Sequence, residues 1–91
     1  MVTAIILINA DRHHIGDLAQ KMADLDGISE VYSVSGRYDL VAIVRVENNE
    51  ALAHLVTHDM VKLEGIIHTE SMLSFRAFSR HDLDEMFSIG M

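Results

Sequence analysis

Cysteine is absent from the 91 residues, which removes disulfides, thiolate nucleophiles and zinc-thiolate sites together and fits a reducing compartment. Basic residues are scarce: seven Lys and Arg against 14 Asp and Glu leave a formal charge of −7. A chain of that sign repels a phosphate backbone, whose binding depends on clustered Lys and Arg, so direct nucleic-acid binding is not expected. Long apolar runs are missing too. Ala4 to Ile8 and Leu40 to Val44 are the longest and fall far short of the ~20 residues that span a bilayer. No basic stretch opens the chain, and Asn9, Asp11 and Arg12 interrupt it before a long apolar core forms, so no signal peptide is visible and a cytoplasmic, membrane-free location is expected. A Gly-rich phosphate loop, a nucleophile elbow and an HExxH pair are likewise lacking. The expectation is a non-enzyme with no cofactor.

What is present is an excess of apolar side chains. Hydrophobic residues make up 49% of the chain and the mean hydropathy is +0.19, whereas a domain this small buries only about 60–65% of its unfolded surface. Something outside the monomer is therefore expected to cover part of that surplus.

The hydrophobic pattern resolves into alternating periods. Val2 to Asn9 is aliphatic on both faces, as a strand buried from two sides reads. Ile15, Leu18, Ala19, Met22 and Leu25 then follow the i, i+3, i+4, i+7 spacing of a helical stripe, with Asp11 as N-cap and Gly27 as terminator. Ile28 to Ser35 and Tyr38 to Val46 are extended in pattern, and the Ser35-Gly36-Arg37 link is short enough to require an antiparallel hairpin. After the capping residues Asn48 and Asn49, Leu52, Leu55, Val56, Met60 and Leu63 form a second stripe that ends near Gly65. Ile66 to Phe75 is the last strand, with Ile67, Leu73 and Phe75 on one side and Ile66 and Met72 on the other.

Leu25-Asp26-Gly27-Ile28 recurs as Leu63-Glu64-Gly65-Ile66, each time between a helix and a strand, so the chain reads as two βαβ units. Right-handed crossovers joining two such units give an α+β, ferredoxin-like βαββαβ fold, with one four-stranded antiparallel sheet and both helices on one face. The strands Val2 to Asn9 and Leu40 to Val46 carry aliphatics on both faces, so the helix-free face is expected to pack on a second copy. The ferredoxin-like domain is assigned to residues 1–76. Residues 77–91 form a tail whose Ser79 to Phe87 segment reads as a short docked helix, with Leu83, Met86 and Phe87 on one side.

Several polar groups carry candidate chemistry. His54 and His58 stand at the i, i+4 spacing that can place two imidazoles on one metal, but no third ligand follows at motif spacing. A solvated helix face is preferred, and no metal site is assigned. His13 and His14, at the entrance to the first helix, are read as meeting solvent or a neighbouring acid. His68, within the last strand, is expected to be partly buried. Asp59 falls inside the second apolar stripe, where a lone carboxylate is costly and must be paired, hydrogen-bonded or near an edge. His68 and Asp59 are the residues a rival reading, a small dimeric ferredoxin-like enzyme, would use; a metal-binding module on His54 and His58 is another.

The segment Gly36-Arg37-Tyr38-Asp39-Leu40 places an aromatic ring and a carboxylate directly after a tight turn. Asp39 can pair there with an α-ammonium group while loop amides receive an α-carboxylate. It can equally cap the turn, with Tyr38 packing as strand surface, and the residues alone leave both open.

The run from Leu25 to Leu40, LDGISEVYSVSGRYDL, followed by an aliphatic strand, a helix, LEGI at 63–66 and the strand containing Thr69, resembles the effector-binding domain of the leucine-responsive regulator/asparagine regulator (Lrp/AsnC) family, the regulation-of-amino-acid-metabolism (RAM) module. The resemblance covers residues 2–76, and the Phe78 to Leu83 tail is similar to that of stand-alone members. It implies sheet-to-sheet dimers assembling into an octamer or decamer, with a small amino acid bound between dimers. Carried over by position, the effector-binding residues are Gly36, Tyr38, Asp39 and Leu40, with Thr69 and Ser71 from the last strand, and Asp39 receives the ammonium group. Full-length members begin with a helix-turn-helix domain, which no basic helical pair supplies here. The expectation is thus a stand-alone, amino-acid-responsive module that regulates transcription through partners, including full-length regulators of the family.

Overall fold

The computed structural model describes residues 1–80. Its elements run β1 (Val2–Ala10), α1 (Ile15–Ala23), β2 (Ile28–Ser33), β3 (Leu40–Val46), α2 (Asn49–His54) and β4 (Ile66–Leu73). The sheet order is β2-β3-β1-β4, and every neighbouring pair is antiparallel. This is the expected ferredoxin-like arrangement. The proposed tail helix falls largely on residues 81–91, outside the described residues.

Alternation along the two central strands divides the aliphatics between two faces. Ala4, Ile6, Ile8 and Ala10 of β1, with Leu40, Ala42 and Val44 of β3, are buried, and they join Leu18 and Met22 of α1 and Leu55 and Met60 beyond α2 in one core. The register pairs Ile5 with Ile43 and Leu7 with Val41. These four point to the face away from both helices and remain only half-buried. Around them lie Glu30 and Tyr32 of β2, Arg45 of β3, and His68, Glu70 and Met72 of β4. The apolar surplus is thereby located: an aliphatic centre with a polar rim, on a sheet covered on one side.

The internal repeat has a structural counterpart. Gly27 and Gly65 both take positive φ, +96° and +101°, a conformation that leaves glycine without penalty. The Gly27 carbonyl accepts from Arg45 N and the Gly65 carbonyl accepts from Asp11 N, both at 2.8 Å. Immediately after each glycine the ladder slips by one residue: pairing jumps from Ile28 to Glu30 against β3, and from Ile66 to His68 against β1. Ser29 and Ile67 are thus equivalent bulges. The second bulge corrects the sides assigned to the last strand. Ile66, opposite Ala10, turns toward the core, Ile67 is thrown outward at 71% exposure, and Met72 stays on the open face.

Two further departures have physical causes. The link between β2 and β3 is a six-residue loop, 34–39, because Tyr38 and Asp39 leave the ladder for contacts with other strands. The second helix also does not continue unbroken to Gly65. It is α-helical for Asn49–His54, widens into a π turn at Leu55–Asp59, and tightens into a 3-10 turn at Met60–Lys62. Met60 N donates to the Leu55 carbonyl across that wide turn. At about 100° per residue an α-helix sets residue i+5 about 140° around from residue i, whereas an i→i+5 turn returns it to the same side. Leu55 and Met60 are thereby both buried, and Asp59 is displaced from the apolar stripe with 29% of its side chain exposed.

Ile6 and Leu40 are each fully enclosed, so Ile6→Ala or Leu40→Ala is expected to cost about 2–5 kcal/mol. Asn48, whose side chain accepts from Ala51 N at 2.8 Å, caps α2, and Asn48→Ala should cost about 1 kcal/mol. Urea unfolding of the three variants ranks them.

Candidate functional site

The Gly36-to-Asp39 loop sits at the end of the sheet where β1 finishes and β3 begins, and its polar groups are anchored to other strands. Asp39 N donates to the Ile8 carbonyl at 2.9 Å, and the Asp39 carboxylate accepts from Ala10 N at 2.8 Å through Oδ2. Val34 N closes the loop on the Asp39 carbonyl at 3.1 Å. Asn9 Nδ2 donates to the Arg37 carbonyl at 2.8 Å, and the Tyr38 hydroxyl donates to Glu70 Oε2 at 3.0 Å. The loop therefore holds a defined shape. Gly36, at φ +114°, leaves open space where a Cβ would stand.

Asp39 thus caps the end of β1 with one carboxylate oxygen rather than the turn that precedes it. Tyr38 does not pack as plain strand surface: its hydroxyl is tied to β4 on the helix-free face, where Glu70 lies opposite Leu7. Glu70 and Asn9 belong to this cluster, and sequence reasoning passed over both. Their only signal was parity, since each occupies an outward position of a strand that passes the loop.

The six residues proposed for an effector do not form one pocket within a chain. Leu40 is fully buried, so its side chain belongs to the core. Thr69 and Ser71 pair with Ile8 and Ile6 and so point to the helix side of the sheet, opposite to Glu70. Thr69 lines a separate cavity of about 250 Å³ with Met60, Val61, Leu63 and Ile66.

The histidines and Asp59 also find their places. His68 is exposed rather than partly buried, because β4 is an edge strand and His68 shares the open face with Asn9. Asp59 lies in the helical layer, so the two residues of the rival enzyme reading share no cleft. His14 Nδ1 is 3.5 Å from Asp11 Oδ2, the neighbouring acid expected for it. His54 and His58 stack with ring centroids 4.4 Å apart, and Asp59 Oδ1 lies 3.0 Å from His58 Nδ1 and 3.6 Å from His54 Nε2. The hydrogen bond with His58, together with the nearby His54 and Lys62 charges, holds the Asp59 carboxyl below the usual carboxylate range against a weaker opposing desolvation. Among the described residues no helix is long and apolar enough to cross a membrane.

The chain is thus an open-faced ferredoxin-like sheet with a pinned polar loop at one end. The family model for the Lrp/AsnC ligand binding domain matches residues 3–83, and the chain belongs to that family, a ligand-binding domain rather than a catalytic one. The HTH-type transcriptional regulator FL11 of Pyrococcus furiosus is 34% identical over 73 residues, 79% of this chain and 47% of that protein. The chain spans about half the length of the curated relatives it matches. Among solved structures, TTHA0845 from Thermus thermophilus is 44% identical with a TM-score of 0.82, covering 88% of this chain and 100% of that one. The feast or famine regulatory protein Rv3291c from M. tuberculosis, complexed with L-methionine, shares the fold at 22% identity and TM-score 0.73, over 87% of this chain and 53% of that one.

Both tyrosines of the chain donate to a glutamate, Tyr38 to Glu70 and Tyr32 to Glu30, and each bond raises the phenol's pKa above its ordinary value near 10. A raised folded-state pKa means that this contribution to stability is complete below about pH 10 and is lost as pH rises through the higher folded value. Ultraviolet titration should show both phenols ionising late. Glu70→Gln should bring one of them back toward its ordinary range and leave the other in place.

Proposed function

We propose that this chain is an amino-acid-responsive oligomerisation module. It dimerises through the helix-free sheet face, assembles dimers into a ring of eight or ten subunits, and takes a small amino acid between dimers at the Gly36-to-Leu40 loops. The observation that carries the reading is the loop itself, pinned at the edge of an uncovered aliphatic face by Asn9, Ala10 and Glu70. A ligand site built on backbone that is already ordered loses little to reorganisation on binding. In this reading Tyr38, Glu70 and the exposed Gly36 backbone face a neighbouring dimer. Thr69 and Ser71, on the opposite side of their own sheet, contribute only if another subunit's loop reaches them. Asp39 serves the ammonium group with the carboxylate oxygen not engaged by Ala10 N.

Family membership supports the ligand class, and the L-methionine complex of a protein sharing the fold supports an amino acid as the first probe. Regulation of transcription is assigned through partners, full-length regulators of the family being the fitting class, because the −7 charge of the chain opposes a DNA backbone.

Thermal shift against the twenty amino acids tests the ligand. At about 100 times its Kd, a ligand binding only the native state adds about 2.7 kcal/mol, roughly 10–20 °C in Tm for a domain of this size. Asp39→Ala should abolish that shift, and a panel in which no amino acid moves the melting curve rejects the sensor. Light scattering tests assembly: the wild-type mass should be a multiple of 10.2 kDa, and Ile43→Glu at the centre of the open face should reduce it to the monomer with the circular dichroism spectrum kept. A monomeric wild type at micromolar concentration rejects the interface.

A further inference from the structure

The His54, His58 and Asp59 cluster lies at the other end of the sheet from the loop and takes no part in the function proposed above. In an unbroken α-helix His54 and His58 would share a face, and Asp59, five residues from His54, would stand about 140° away. The π turn at Leu55–Asp59 changes that. It swings Asp59 back beneath the two imidazoles, and the three ligand atoms converge to within 4.8 Å of one another. Single π turns are rare and occur often at functional sites.

From this convergence we infer that His54, His58 and Asp59 form a binding site for a divalent transition-metal ion of the zinc class. Two imidazole nitrogens and one carboxylate oxygen are a ligand set that such ions favour. Bonds of about 2.0–2.2 Å to each ligand place neighbouring ligand atoms about 3–3.5 Å apart. The observed separations from Asp59 Oδ1 are 3.0 Å to His58 Nδ1 and 3.6 Å to His54 Nε2, already close to that spacing. The two rings are stacked, 4.4 Å apart and 19° from parallel, so an ion would require them to unstack and turn their nitrogens inward; the side chains are 62% and 52% exposed, which leaves space for that rotation.

The surroundings favour a cation that keeps an open coordination position. His54 and Asp59 line a surface cavity of about 640 Å³. Its wall includes three acids, Asp26, Glu47 and Asp59, against the cations of Arg45 and Met1, a small acidic excess that favours positive ions. Three protein ligands leave room for water or an acidic group in the fourth place. A bound ion would cross-link the end of α2 to the π turn that follows it, and so raise the stability of the folded chain by mass action.

The test is calorimetric titration of the untagged protein with zinc chloride in a non-chelating buffer, paired with NMR of the histidine rings. Expected are one zinc ion per chain at micromolar concentration, displacement of the His54 and His58 ring signals with those of His13, His14 and His68 unmoved, and an increase in Tm. His54→Ala, His58→Ala and Asp59→Asn should each weaken binding at least tenfold; because these side chains are exposed or half-exposed, the variants should keep the wild-type circular dichroism spectrum. Absence of saturable binding, or wild-type affinity in both histidine variants, overturns the site and leaves the cluster as an ion-pair network. Neither result bears on amino-acid binding, which is read separately at Asp39.

Discussion

The central pair of strands, β1 and β3, is aliphatic on both faces, and two helices can cover only one. Ile6, Ile8, Leu40 and Val44 vanish beneath them, while Ile5, Leu7, Val41 and Ile43 are left between protein and water. The hydrophobic effect scales with area removed from water and has no direction, so the area that the second group still exposes is a further drive toward burial. On β4 the same division sets His68 and Glu70 on the open face and Thr69 and Ser71 on the helix side.

The elements and their order were legible because each rests on a long periodic pattern or on a glycine that the backbone requires. Gly27 and Gly65, set in LDGI and LEGI, mark both the ends of the helical layers and the symmetry between the halves. Opacity began where a single residue shifts the count. A bulge at Ile67 reverses which of Ile66 and Ile67 faces the core, and a π turn moves Asp59 out of a stripe in which period alone had placed it. Neither has a composition signature: each arises because tertiary packing, here of Ile66 against Ala10 and of Leu55 and Met60 within one core, outweighs local regularity.

The candidate site was legible in part for the same reason. The GRYD loop stood out by its residue types, and its role as a polar corner is supported by four hydrogen bonds to neighbouring strands. Its partners Asn9 and Glu70 are distant in sequence and ordinary in type, so only the register of β1 and β4 brings them in. Thr69 and Ser71 came from resemblance, and strand parity sets them on the helix side. A ligand touching both groups must therefore lie between chains, which turns a residue assignment into a statement about assembly.

The twin bulges at Ser29 and Ile67 also shape the two rims of the sheet. Both lie in edge strands, and an edge strand offers a row of open donors and acceptors to any extended chain that passes. Where the ladder slips, that row loses its even spacing and the strand twists more sharply. An extended chain laid along either rim would therefore meet evenly spaced groups only beyond Glu30 on β2 and beyond His68 on β4.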